Sequence, residues 1–458
     1  MCNAADAHVA PAEPAPILEP GYTPASVVDE VVSIPLARHA PSAWYIGFAA
    51  SFALLMLFLF AITYLVVRGV GIWGVMIPVA WGVAIVTFVW WIGIAHASSL
   101  VVAALLVLRQ EWRVSISRLA DALTLFALAC AGLFPILHLG RPWFFYWLLP
   151  YPNTMDVWPQ FRSPLVWDLF AILAHGLVAV LFWYLGLIPD LATMRDRASD
   201  KLRAGVFRLL ALGWHGSSRN WFHYRKAYYL IAATFVPLVV WVQSVVGLDF
   251  ATTIVPGWHV TTFPAFFVAG ALFSGLAMVL AVTIPVRGLF RLHGMITQRQ
   301  LDNLAKLLLA SALGVAYGYL MEYFMAWYSG SEFEIYTNLN RALGPYAPLY
   351  WLMLVLTLVV VQAFWFRRVR LNAWALFAIA LLIITGRWLE RFVLVVSSLH
   401  RDYLVSAWAV YVPTIWDWAT LLGSIGLFLT LLFLFLRLLP MISIFEMREL
   451  LARKEGRL

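Results

Sequence analysis

Apolar runs long enough to cross a lipid bilayer recur along the chain at 44–67, 75–106, 119–140, 164–189, 226–246, 264–285, 304–328, 346–366, 373–392 and 414–437. A helix rises 1.5 Å per residue, so about twenty apolar residues span a hydrocarbon core of roughly 30 Å. Inside lipid only a helix or a closed barrel satisfies its own backbone, and runs of this length select the helix. The pattern therefore predicts an all-α polytopic membrane protein with about ten transmembrane helices. Residues 1–43 contain Pro11, Pro14, Pro16, Pro20 and Pro24 among Ala and Glu, with no apolar stretch resembling a cleavable signal. They are expected to form an extended tail, residues 44–440 the membrane domain and residues 441–458 a second tail.

The apolar segments also repeat. Gly247-Leu-Asp249 through Trp258-His259 matches Trp388-Leu-Glu390 through Leu399-His400 at a constant offset of 141 residues. Upstream, Pro164-Leu-Val-Trp167 echoes Pro348-Leu-Tyr-Trp351, and Leu119-Ala120 echoes Leu304-Ala305 in the same order. Counterparts four spans apart cross the bilayer in the same direction. The expected arrangement is two repeated four-helix bundles, spans 2–5 (about 75–246) and spans 6–9 (about 264–396), with spans 1 and 10 at the periphery. Repeats of this kind often place a binding site within or between the halves.

Composition sharpens the picture at three points. Only 12% of residues are charged, against about 25% in soluble domains. The net charge of +8 would suggest nucleic acid in a soluble protein, but here its distribution matters more than its size. With the N-terminus placed inside, 24 of the 31 Lys and Arg fall in inner segments and 7 in outer ones, which by the positive-inside rule puts both termini in the cytoplasm. Cys2 and Cys130 are too few for a four-thiolate iron–sulfur cluster, and there is no C-x-x-C-H haem attachment motif. No metal-ligating set stands out either. Any electron carrier must be supplied by another protein.

The ionisable residues of the spans gather toward one face. His138 closes span 3, Asp168 opens span 4, Asp249 closes span 5 and Glu390 with Arg391 closes span 9, all predicted at similar depth on the outer side, near Glu322. An acid or imidazole at such a place is a functional-site hypothesis, because unpaired it is expensive. It could also take a proton from a bound hydroxyl. A local ion pair is the competing explanation for Glu390, which lies between Arg387 and Arg391, whereas no Lys or Arg occurs between Lys226 and Arg287 to neutralise Asp249. Arg141, in His138-Leu-Gly140-Arg141-Pro142, suits either a site-organising role or an interfacial anchor beside Trp143, Tyr146 and Trp147. His96 and His175 fall near mid-span, where packing, a proton relay and a bis-His haem all compete.

These residues resemble a family. The ten-span layout, Ile94-Ala95-His96-Ala97, Leu137-His138-Leu-Gly140-Arg141-Pro142 and Ser163-Pro164-Leu-Val-Trp167-Asp168 are similar to the NrfD-like, or polysulfide-reductase membrane-subunit, family, and within it to the larger NrfD-like subunit of bacterial alternative complex III. The resemblance implies a haem-free and iron–sulfur-free subunit of the bacterial inner membrane that oxidises menaquinol near the periplasmic face. On this reading His138, Asp168, Asp249 and Glu390 are the catalytic positions, with Arg141 and Arg391 completing the quinol pocket and His96, His175 and Glu322 as proton-path candidates. It also implies partners: c-type cytochrome subunits, a periplasmic iron–sulfur subunit and a second NrfD-like membrane subunit, with coupled proton translocation as a further possibility. Another NrfD-type reductase, a secondary transporter and a cytochrome b are the competing functions. Nucleic acid is not an expected partner.

Overall fold

The computed structural model describes residues 15–148, 164–401 and 403–455. A short helix, α1 (Pro24–Leu36), precedes α2 (Ser42–Arg68), α3 (Val83–Val107), α4 (Val114–His138), α5 (Pro164–Arg197) and the short α6 (Lys201–Leu210). These are followed by α7 (Ser218–Ala251), α8 (Phe263–Leu289), α9 (Gln298–Ser329) and a short α10 (Glu332–Leu343). The chain closes with α11 (Ala347–Leu354), α12 (Arg367–Arg370), α13 (Ala373–Leu399), α14 (Ile415–Leu438) and α15 (Ile444–Lys454). The chain is an all-α polytopic membrane protein. Among the described residues, nine helices are long and apolar enough to cross a membrane. The expected ninth span corresponds to α13, 27 residues long and carrying Arg387, Glu390 and Arg391.

Successive long helices run in opposite directions, so the molecule has two ends. The start of α2 and the end of α14 share one, called proximal here; His138 lies at the other, the distal end. Helices α3, α4, α5 and α7 pack on one another, α8 packs on α9 and α13, and α11 leans on α13. The two groups meet where α8 lies against α3 and α7. Outside them, α2 and α14 form a long pair. Without a hydrophobic force between helices in lipid, close approach has to come from small residues. Gly423 and Gly426 of α14 supply it, since a Cβ on either would collide with the backbone and Cβ of α2 at Phe58 and Leu54. Gly386 does the same for α13 against Leu356 and Thr357, where α11 continues through a π turn at Val355–Val359.

The proximal end departs from the extended N-terminal tail expected from the sequence. Residues 15–36 form a strap that includes α1: Thr297 Oγ1 donates to the Pro16 carbonyl (2.7 Å), Gln300 Nε2 to Ile17 (2.7 Å) and Arg437 to Ile34 (2.7 Å). Buried carbonyls that have no helix partner must find donors elsewhere, and these side chains provide them. Helix α15 is tied down by Glu446, which pairs with buried Arg113 at 2.7 Å. Arg118, expected in a loop, lies inside α4 and pairs with fully buried Asp190 at 3.0 Å, with further bonds to Gly186 O (2.6 Å) and Ser443 Oγ (3.2 Å). The tails are ordered by these distant side chains, so their own composition does not predict it.

Gly423→Leu should force α2 and α14 apart. Overpacking of this kind costs about 1–3 kcal/mol, and thermal unfolding in detergent is expected to show a lower midpoint, whereas Leu422→Ala on the exposed face should not. Equal midpoints for the parent and Gly423→Leu would mean that the pair is not held by glycine contact.

Candidate functional site

At the distal end of the first bundle the chain turns tightly. Helix α4 ends at His138, Gly140 takes φ of 70°, and Pro142 opens a 3-10 helix over Pro142–Leu148 in a new direction. A side chain at Gly140 would strike Val70 in the connection between α2 and α3. This close approach brings the 69–82 segment over the end of the bundle, where buried Trp73 stacks on His138 with ring centroids 6.3 Å apart.

Asp168, in the second turn of α5, and Asp249, two residues from the end of α7, are both buried and close enough to act on one another through space. Four polar atoms at this end are buried with no hydrogen-bond partner among the described residues: Trp73 Nε1, His138 Nδ1, Asp168 Oδ1 and Asp249 Oδ1. An orphaned buried donor or acceptor costs about 1–3 kcal/mol. An indole N–H, an imidazole nitrogen and two carboxylate oxygens without partners are groups that bond hydroxyls or carbonyls of a ligand. Arg141, by contrast, is exposed beside Trp143 and Tyr146, as an interfacial anchor would be. Its neighbours in 149–163 lie outside the described residues.

Glu390 is placed differently from the expectation. Gly247 of α7 abuts Pro264 in the first turn of α8, whereas Arg387 of α13 packs against Gly270, almost two turns further into α8. Glu390 belongs to the second bundle, among partners other than those of Asp249. There it is ion-paired: Arg387 pairs with it, Arg391 lies at 3.4 Å, and Tyr319 donates to its Oε2 at 2.6 Å, while its Oε1 accepts no hydrogen bond among the described residues. Arg387 Nε also reaches Ser274 Oγ at 3.2 Å, and the Arg391 guanidinium sits 4.1 Å over the Phe267 ring.

Glu322 is paired with Arg341, which also donates to Gly257 O (3.2 Å) and Ser398 Oγ (3.0 Å). Tyr319, Glu322, Tyr323, Arg341, Tyr350 and Glu390 line a cavity of about 20 Å³, large enough for roughly one water. Phe250 stacks near Phe267 at 5.3 Å and forms an apolar wall between this cluster and the Asp168–Asp249 pair. The sequence repeat relates Asp249 to Glu390, but the structure gives them separate surroundings.

Deep in the first bundle His96 and His175 touch edge to face, with centroids 4.5 Å apart. The rings are in contact, leaving no room for a haem plane between them in this arrangement. His96 Nδ1 is 2.5 Å from Gln243 Oε1, while both nitrogens of His175 and Nε2 of His96 are buried without a partner. One turn toward the proximal end, the Ser99 hydroxyl donates to Thr124 Oγ1 at 2.8 Å. A further turn along α4, the Asp121 carboxylate is buried with both oxygens unpartnered. Trp73, Gln243, Thr124 and Asp121 are absent from the site expected on sequence. A lone amide or acid in an apolar span is a readable signal for Gln243 and Asp121; Trp73 is one of 23 tryptophans and carries none.

Residues 74–401 match the family model described as polysulphide reductase, NrfD. The chain belongs to the NrfD family. It is similar to a putative membrane subunit of the dimethyl sulfoxide reductase of Halobacterium salinarum, with 29% identity over 206 residues, 45% of this chain and 43% of that one. It is also similar to a subunit of the selenate reductase of Mesobacillus selenatarsenatis, with 22% identity over 383 residues, 80% of this chain and 86% of that one. The first match spans less than half of the relative's length. Both relatives carry the names of reductase subunits.

The contrast between Glu390 and the Asp168–Asp249 pair gives a test. Glu390→Gln leaves two buried guanidinium groups uncompensated and should cost about 3–5 kcal/mol. Asp168→Asn and Asp249→Asn remove carboxylates whose Oδ1 has no hydrogen-bond partner among the described residues and should leave the unfolding midpoint of the purified protein unchanged or higher. A larger loss for Asp168→Asn than for Glu390→Gln would reverse the assignment of structural and functional acids.

Proposed function

We propose that this NrfD protein is the quinol-handling membrane subunit of a multi-subunit oxidoreductase, with the head group received at the distal end of the first bundle. The four orphaned polar atoms of Trp73, His138, Asp168 and Asp249 carry this reading. Oxidation of a quinol to a quinone releases two electrons and two protons. Asp168 and Asp249 accept the protons from the two ring hydroxyls, His138 hydrogen-bonds the oxygen nearest it, and both electrons leave to an iron–sulfur partner docked over this end. The chain has too few cysteines to hold such a cluster itself, so it binds and deprotonates the quinol but depends on its partner to oxidise it. Glu390 and Arg391 act as the rigid wall behind the pocket, through Phe267 and Phe250.

The finer reading is menaquinol oxidation at the periplasmic face of the bacterial inner membrane, in an alternative complex III with c-type cytochromes and a second NrfD-like subunit. A reductase complex like those of the named relatives would use the same pocket with a different acceptor. Co-purification from native membranes separates the two: c-type haem and a second NrfD-like chain support the first, and their absence beside a catalytic reductase subunit supports the second.

In the assembled complex, Asp168→Asn and Asp249→Asn are expected to lower quinol oxidation at least tenfold while the subunits still co-purify. Turnover equal to the parent in both would remove the proton-accepting role.

Proton movement across the membrane, if coupled, is proposed to follow the line Asp121, Thr124, Ser99, His96 and His175 toward Asp168, with Glu322 outside it because Arg341 holds it. His175→Gln and Asp121→Asn in vesicles should abolish proton uptake at the proximal side and retain quinol oxidation. An unchanged proton-to-electron ratio in both variants would leave these residues a packing role.

A further inference from the structure

Away from the polar site, a groove of about 1130 Å³ runs between α3, α8, α13 and α14. Its wall on α14 extends from Trp418 to Leu436, about 27 Å at helical rise. Trp90, Met278, Phe377, Leu381, Phe428 and Leu432 give it an apolar lining. Three of the indole N–H groups that line it are turned inward: Trp90 donates to Ile384 O (3.2 Å), Trp91 to Ser424 Oγ (2.9 Å) and Trp388 to Thr87 Oγ1 (3.3 Å).

Among the described residues lining the groove, the ionisable ones are Arg287 and His293, both at the proximal end. Arg287 is half-buried, its Nε has no hydrogen-bond partner, and the Glu19 carboxylate is close enough to act on it. Gly288 beside it faces open space, leaving room for a bulky group at the rim.

We infer that this groove binds one anionic diacyl phospholipid from the leaflet at the proximal end, with its phosphate on Arg287 and His293 and its acyl chains along α8, α13 and α14. Charge at a single end of an apolar trough is the distribution an amphiphile with an anionic head requires. Arg suits the headgroup because its fork matches phosphate oxygens. A transmembrane helix from another subunit fits the lining less well. Where helices of this chain meet closely they do so through glycine, as at Gly423 and Gly426 against α2 and Gly275 against Ala97, whereas the middle of the groove is walled by large side chains.

The test uses the native complex in mild detergent. Native mass spectrometry should find an anionic phospholipid retained after washing, and added phosphatidylglycerol should raise the unfolding midpoint by several degrees more than phosphatidylcholine. The double variant R287Q/H293Q is expected to lose that preference and retain the anionic lipid at least fivefold less. Ala281→Trp, which fills the trough at mid-height, should reduce retention of either lipid. If Ala281→Trp does not assemble, the double variant decides alone. A photoreactive side chain at Leu381 should capture lipid. Equal stabilisation of the parent by both lipids, unchanged retention in the double variant, or capture of a protein subunit at Leu381 would each overturn the proposal.

Discussion

Water is scarce inside this bundle, so every polar side chain there must either be bonded by the protein or remain costly. That constraint divides the interior into two kinds of polar group. Arg118 with Asp190, Arg113 with Glu446, Arg341 with Glu322 and the Arg387–Glu390–Arg391 set are ion-paired, so that single atoms left without a hydrogen bond, such as Glu390 Oε1, still face an opposite charge. His138, Asp168, Asp249, His175 and Asp121 have atoms left open. Bonded ion pairs fix helices against each other at a net energy close to zero, because desolvation offsets much of the attraction. Open groups fix nothing, and their cost is offset only when a ligand or a proton arrives. Function is accordingly sought where the bonding is incomplete.

The two groups of helices treat the acids toward their distal ends in opposite ways. In the first the end of α7 presents Asp249 to Asp168, with no ion pair to either among the described residues. In the second, Glu390 on α13 is closed off by arginines and Tyr319, and the space left is only about 20 Å³. One end thus keeps acid oxygens without a hydrogen-bond partner, and the other closes its acid around room for about a single water. The packed Phe250–Phe267 contact joins them mechanically while keeping their charges apart.

Much of this is legible in the sequence, for physical reasons that also mark its limits. Hydrophobic run length fixes membrane helices because the bilayer has a fixed thickness, and the apolar patterns of α2 to α14 follow it. Asp249 stands out as an acid without basic neighbours in sequence, and in the fold its Oδ1, like that of Asp168, has no hydrogen-bond partner among the described residues. The repeat assigns Glu390 to their depth, yet its own flanking arginines hold the better clue, since charges at i−3 and i+1 can close on it locally. The strap at residues 15–36 and the bond from Glu446 to Arg113 depend on chain segments hundreds of residues apart, and no local pattern encodes such pairings. Trp73 enters the site only because Gly140 lets Val70 approach closely.

The central claim is that the quinol ring sits at the distal end of the first bundle and not in the second. Photolabelling of the native complex with an azidoquinone, followed by peptide mapping, tests it directly. Adducts are expected in the 69–82 segment and around His138, Asp168 or Asp249, and they should be displaced by excess unlabelled quinol. Displaceable adducts confined to Tyr319, Tyr350 or the Glu390 region would contradict the account.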